Sequence, residues 1–301
     1  MRIPWRALHR GFVGLTAIVA AVFIAWSVAR DVQAQAGRPE RVKRLRMYVF
    51  ELGNIPVEQG NLFEPPISIA KGGCCVIVGH LIVHPKGTLI WDTGVVPDEL
   101  IGSGKPTTNF YTGKPFREKL AEVGYRPDDI TYMAMSHYHF DHTANANLFK
   151  NSTWIVQEPE RNAMLAALAG TKLPGGSPPE PTHYNLLKSS KTIVLANLEE
   201  YDVFGDGTVV IMPAYGHTAG QQVVLLNLPT TGRIVLAGDL YHFREEREKQ
   251  VLPATLEYDK EQSRLSRVKL GAGSKKNNVP LWMEHDSRLY ATLKKAPAYV
   301  E

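Results

Sequence analysis

Residues 136–142 read Ser136-His137-Tyr138-His139-Phe140-Asp141-His142. They follow the apolar run Ile130–Met135, which reads as a buried strand. At an extended strand end, His137 and His139 point to one side while Tyr138 and Phe140 point to the other. The chain must then turn, and Asp141 and His142 arrive from the turn. Three imidazoles and a carboxylate converging this closely suit zinc, and also iron or manganese when oxygen ligands contribute.

Four such groups would close one structural zinc site, but the chain offers more. His217 lies in Gly216-His217-Thr218 after the strand-like run Val209–Pro213. Asp239 lies in Gly238-Asp239 after Arg233–Ala237, and His285 in Glu284-His285-Asp286 after Val279–Met283. Each stands just past the C-terminal end of a buried strand, where α/β folds place their chemistry. Taken singly, a histidine after a strand is usually a satisfied polar residue, and Gly-Asp is usually a turn. The compact cluster changes that, because it needs partners. Seven ligands exceed what one tetrahedral ion takes, whereas two ions sharing a carboxylate would use all seven.

Strands dominate the rest of the chain. Arg44–Phe50, Cys75–Val83 and Thr88–Trp91 are rich in apolar and β-branched residues, and His84-Pro85-Lys86-Gly87 suits a hairpin turn between the last two. Further strands are expected at Thr153–Gln157, Thr192–Ala196 and Gln222–Leu228. Helices are expected at Phe116–Val123, closed by Gly124, at Arg161–Ala169, from an Asp259 cap to about Lys269, and at Leu289–Lys295. Arg244–Lys249 is mixed in sign and reads as a solvated helix face. No repeat and no composition break divides the chain, so one α/β domain covers residues 37–301.

Residues 1–36 stand apart. Three arginines in Met1–Arg10 precede an uncharged stretch, Gly11–Val28, and then Ala34-Gln35-Ala36. Basic, apolar, A-x-A is the layout of a secretory signal peptide. An uncleaved anchor is the alternative, since the stretch is near the lower limit for a membrane span. Either way the domain is expected to be exported, periplasmic or secreted, with membrane contact only through this segment. The 301 residues carry 34 Lys+Arg against 30 Asp+Glu, a net +4. Most of that excess sits before residue 37, so a nucleic-acid-binding face is not indicated. Only two cysteines occur, adjacent at Cys74-Cys75. A ring between neighbours is strained, so buried small hydrophobes are expected there.

The His-x-His-x-Asp-His motif, with Gly-His-Thr, Gly-Asp and a late His, resembles the metallo-β-lactamase superfamily. Asp92-Thr93-Gly94 looks like its first active-site loop. The ending His285-Asp286, followed by Leu293-Lys294-Lys295-Ala296-Pro297, resembles the N-acyl-homoserine lactonase branch. That resemblance implies an αββα sandwich with two divalent metal ions, zinc foremost, at one edge. It implies that His137, His139 and His217 hold one ion, that Asp141, His142 and His285 hold the other, and that Asp239 bridges them. It implies a hydrolase opening a small-molecule lactone, with Asp141 passing a proton to the leaving alkoxide, and, as in many relatives, a homodimer. The chain departs from the branch at one point. Where lactonases carry a tyrosine three residues after the bridging aspartate, His242 stands here, with Tyr241 beside it, and either residue is a candidate for the substrate carbonyl. Phe110, Tyr111 and Phe140 are candidates for an acyl pocket. A β-lactamase, a glyoxalase-II-like thiolesterase and a non-catalytic zinc-binding protein are the competing readings. No second Asp-Thr-Gly, intact P-loop or Gly-x-Ser-x-Gly is present, which removes aspartic-protease, nucleotide and serine-hydrolase chemistry.

Overall fold

The alternation of side chains along the first strands builds the layers. The structure is a computed structural model that describes residues 39, 42–55, 63–64, 75–102, 113–175, 179–197, 199–253 and 255–301. The N-terminal segment 1–36, Cys74, Phe110 and Tyr111 lie outside the described residues. In β1 (Arg46–Asn54), Met47 and Val49 face one way and Tyr48, Phe50 and Leu52 the other. In β3 (Val76–His84), Val76, Val78 and Ile82 share the first side, and Leu81 and Val83 the second. Both strands are buried on both faces, so each reads as a continuous apolar run rather than as hydrophobic–polar alternation.

One sheet runs in the order β1-β3-β4-β5-β6-β7, where β4 is Gly87–Trp91, β5 Tyr132–Ala134, β6 Thr153–Gln157 and β7 Thr192–Leu195. The other runs β13-β11-β10-β9-β8, with β8 Tyr201–Asp202, β9 Val209–Pro213, β10 Gln222–Leu228, β11 Gly232–Leu236 and β13 Leu281–Trp282. A small antiparallel pair joins β2 (Phe63–Glu64) to β12 (Leu252–Pro253). Val209, Ile211, Val224, Leu226, Ile234 and Leu236 of the second sheet meet Met47, Val78, Ile82, Leu89 and Trp91 of the first in one shared core.

Helices cover the outer faces. α1 (Phe116–Glu122) and α3 (Glu158–Leu168) pack Phe116, Leu120, Ala163 and Met164 against Leu81, Ile90, Met133 and Trp154. On the far side, α5 (Lys260–Lys276) lays Leu270 against Val223, Val235 and Leu281. This is the αββα sandwich, and each helix boundary has a local cause. Gly124 (φ 84°) follows the end of α1 in the left-handed region. Pro159 opens α3, and the Asp259 carboxylate caps α5 by accepting from Gln262 N at 3.0 Å.

Several boundaries move from their expected places. α5 runs on past Lys269 to Lys276, because packing carries it through Gly271 and Gly273. β13 shrinks to two residues, and the last helix, α6 (Ser287–Thr292), starts earlier, where the Asp286 side chain accepts from Arg288 N and Leu289 N. The run 244–249 does form a helix, α4 (Arg244–Lys249), but it is not wholly a solvated face, since Glu246 is fully buried. Cys75 is buried as expected, but it is disulfide-bonded rather than a free thiol. Among the described residues no helix is long and apolar enough to cross a membrane.

Candidate metal centre

The C-terminal ends of β4, β5, β9, β11 and β13 converge at one edge of the sandwich, and the turns beyond them carry the polar cluster. From the β5 turn come His137, His139 and the one-turn helix α2 (Phe140–Thr143), which delivers Asp141 and His142. His217 follows β9, Asp239 follows β11 and His285 follows β13. All seven side chains are buried. Gly238 (φ 50°) lets the β11 turn approach the β5 turn, because a Cβ there would lie 2.6 Å from Ser136 Cβ.

The donor atoms fall into two groups about Asp239. His139 Nδ1 lies 3.0 Å from His137 Nε2 and 3.1 Å from His217 Nε2. Asp239 Oδ2 lies 3.4 Å from His217 Nε2 and 3.7 Å from His137 Nε2. On the other side, Asp239 Oδ1 stands 3.1 Å from His285 Nε2 and 3.5 Å from His142 Nε2. Asp141 Oδ2 stands 3.5 Å from His285 Nε2 and 3.6 Å from His142 Nε2. Four tetrahedral ligands at about 2.0–2.1 Å from a cation sit roughly 3.3 Å from one another. Both groups have that spacing, and the two oxygens of one carboxylate are divided between them. His142 Nε2 and Asp239 Oδ1 are buried without any hydrogen-bond partner, a costly state that a cation between them relieves. The donor set therefore fits two divalent metal ions.

The electrostatics agree. Burial, together with the neighbouring imidazoles, holds His137 and His139 well below the usual histidine range, so they are neutral and keep lone pairs. Burial lowers His217 and His285 too, but Glu257 and Asp239 raise the first to about 10, and Asp239 and Asp141 raise the second to about 9. Burial pushes the Asp239 carboxyl up, yet His285, His142, His242 and His137 hold it well below the carboxylate range. Carboxylates and ring nitrogens packed this densely attract positive charge, whether protons or metal ions.

Further side chains, most of which sequence reasoning passed over, fix the imidazoles. His285 Nδ1 donates to Val76 O at 3.1 Å, leaving Nε2 to face the cluster. His142 Nδ1 stands 3.3 Å from Asp92 Oδ2, whose Oδ1 accepts from Ser136 N at 2.6 Å. Asp92 adopts φ 58°, the left-handed region, so the Asp92-Thr93-Gly94 turn is strained for this contact. Glu284, adjacent to Asp92, is raised well above its usual range by burial and by that carboxylate, and it accepts from Val78 N at 3.2 Å. Glu160 ties two loops together by accepting from Tyr138 N, Thr218 Oγ1 and Gly220 N at 2.7, 2.8 and 2.8 Å, and burial lifts its carboxyl to about 7. Glu246 and Glu257 lie behind His242 and His217. Of these, Asp92 stands in the Asp92-Thr93-Gly94 loop that the sequence singled out, and Glu284 had a signal as the neighbour of His285.

Tyr241 and His242 diverge. Tyr241 has extended backbone (φ −145°, ψ 135°), so successive side chains leave on opposite sides. His242 turns its Nε2 to within 3.4 Å of Asp239 Oδ2. Tyr241 packs away from the cluster with Val235 and Met283, under the Arg267 guanidinium at 4.7 Å. Phe140 packs beside the site on Ile77, Val95 and Val96.

A two-sheet sandwich with paired, buried His/Asp groups at its edge defines a metal-dependent hydrolase fold. Residues 72–274 match the metallo-beta-lactamase superfamily, and the chain belongs to it. It is 28% identical over 276 residues to the N-acyl homoserine lactonase AttM of Azorhizobium caulinodans, spanning 85% of this chain and 99% of that one. It is 26% identical over 273 residues to AttM of Rhizobium johnstonii, with 85% and 98% spanned. Among solved structures it is similar to a quorum-quenching N-acyl homoserine lactone lactonase, with a TM-score of 0.69 at 22% identity over 86% of this chain and 100% of that one. It is also similar to AidC, a dizinc quorum-quenching lactonase, with a TM-score of 0.57 at 18% identity over 82% and 90%.

Proposed function

We propose that the protein is an exported dizinc lactonase whose mature domain, residues 37–301, opens the ring of N-acyl-homoserine lactones. The observation that carries this reading is the division of the Asp239 oxygens between two buried donor groups, in a chain whose AttM relatives are named N-acyl homoserine lactonases. His137, His139 and His217 would hold one zinc and Asp141, His142 and His285 the other, with Asp239 shared between them. When bound, the two ions would supply Lewis acidity at a carbonyl and lower the pKa of a bound water to about 7.

The remaining work falls to the chain. His242 presents Nε2 to the lactone carbonyl oxygen, and Glu246 fixes its ring through Nδ1 at 3.0 Å. A water oxygen adds to the lactone carbonyl carbon and the ring C–O bond breaks; Asp141 takes the proton that this water releases and passes it to the alkoxide, which stays tethered in the opened product. Phe140 forms one wall for the acyl chain. The buried setting lowers the local dielectric and strengthens each polar contact.

The test is product analysis with purified, metal-loaded protein. An acyl-homoserine is expected, one water heavier than the substrate, with no free homoserine lactone, and acid should close the ring again. His242→Ala should lower turnover at least tenfold with metal content retained, and Tyr241→Phe should not. Hydrolysis of cephalosporins or thioesters with acyl-homoserine lactones left intact would refute the lactonase reading.

A further inference from the structure

The imidazoles of His217 and His242 occupy mirrored settings. Each aims Nε2 at the same oxygen, Asp239 Oδ2, at 3.4 Å. Each also sets Nδ1 against a buried glutamate: His217 lies 3.3 Å from Glu257 Oε1, and His242 lies 3.0 Å from Glu246 Oε2. The two glutamates share one cation. Arg267 Nη2 donates to Glu246 Oε1 at 2.5 Å and stands 3.7 Å from Glu257 Oε1.

Arg267 is itself held from several sides. Its Nη1 donates to Val251 O at 2.7 Å, and its Cζ lies over the Tyr241 ring. It is 6% exposed and projects from α5. Glu246 also accepts from the backbone N of His242 at 2.7 Å, and Glu257 also accepts from Ser263 Oγ. A chain of contacts thus runs His242–Glu246–Arg267–Glu257–His217, with Tyr241 beneath its centre. A planar guanidinium offers several donors in fixed directions and can serve two carboxylates at once, which an ammonium does less well.

We propose that Arg267 is a positioning residue that couples the imidazole of His217 to that of His242, so that metal binding and substrate contact are set by one guanidinium on α5. This rests on the reading of His217 as a metal ligand and His242 as a substrate contact. It also gives Tyr241 a role at second hand, as the ring on which Arg267 lies.

The experiment compares Arg267→Lys, Glu246→Gln, Glu257→Gln and the double glutamine variant, each checked for folding by circular dichroism. Zinc affinity is measured by chelator competition, and the visible spectrum of the cobalt-loaded protein reports ligand geometry; neither needs a substrate. Arg267→Lys should weaken zinc at least tenfold, shift the cobalt spectrum and lower kcat with KM within about twofold. Glu246→Gln makes no contact with His217, yet it should weaken zinc even in a His242→Ala background, where Arg267 is the side chain that carries the effect and the backbone N of residue 242 keeps its acceptor in either form of residue 246. The two glutamine substitutions should be non-additive. Unchanged zinc affinity for Glu246→Gln in that background, or additive effects in the folded double variant, would overturn the proposal. If Arg267→Lys does not fold, the glutamine variants decide. Absence of lactone turnover in the unsubstituted protein would sink the functional reading while leaving the zinc and cobalt tests of Arg267 standing.

Discussion

Asp239 is the residue on which both donor groups depend, because each of its oxygens faces a different set of imidazoles. Asp239→Ala should therefore release both ions, not one. Metal analysis is expected to fall from about two per chain towards zero, with activity falling in parallel; one tightly retained ion with full activity would contradict the shared carboxylate. His80 poses a separate problem. It lies on the β3 face that carries Val78 and Ile82, fully buried, and burial lowers its imidazole to about 3. The neutral ring is favoured in the folded protein, while the unfolded chain takes up a proton below about 6.5. The stability this group contributes is thus complete above pH 6.5 and drains away as pH falls towards 3, by up to about 1.4 kcal/mol per pH unit. His80→Gln should flatten the dependence of urea midpoints on pH between 6 and 4; an unchanged slope would show that His80 is not its source.

At the scale of elements, the loop after β9 and the start of α5 are fitted to each other at Gly216. Its φ is 129°, and a Cβ would come within 2.1 Å of Ser263 N. Gly216 O accepts from Asp259 N at 2.8 Å, and His217 O from Tyr258 N at 3.1 Å. Backbone meets backbone here, so no side-chain rotation relieves an added methyl. Gly216→Ala should cost about 2–4 kcal/mol in urea unfolding and should reduce metal content by shifting His217. A fully stable, fully loaded alanine variant would show that the loop yields more easily than this contact implies. The same seam explains why α4 and α5 carry buried charge. Glu246, Arg267 and Glu257 satisfy one another at the back of the site, where apolar side chains would leave two imidazoles unoriented.

For the whole molecule, the donors come from turns scattered between residues 137 and 285, on two sheets. Ions bound there tie the sheets' edges together in the folded state and have no equivalent site in the unfolded chain. Chelation should lower the thermal midpoint, and returning zinc should restore it. Binding at a hundred times Kd contributes about 2.7 kcal/mol per site, which for a domain of this size is a shift of several degrees. A midpoint indifferent to chelator would argue against resident ions.

The sequence alone determined what repeats or clusters locally. The His137–His142 motif lies within a few residues, so its chemistry was legible before any fold. Strands such as β6, β9 and β10 were bounded correctly, because apolar runs flanked by turn residues are short-range signals. The position of His217, Asp239 and His285 after strands was legible for the same reason. Only tertiary structure decided what depends on which way a side chain leaves the backbone or on what lies across space. Tyr241 and His242 are neighbours in sequence, yet extended backbone sends one to the Arg267 side and the other to the cluster. Glu246 looked like part of a solvated charge run until His242 and Arg267 enclosed it. Glu160 and Glu257 belong to no motif, because their partners lie many residues away. A carboxylate that orients a distant imidazole leaves no periodic trace in sequence; its role exists only once two sheets and α5 have been brought together.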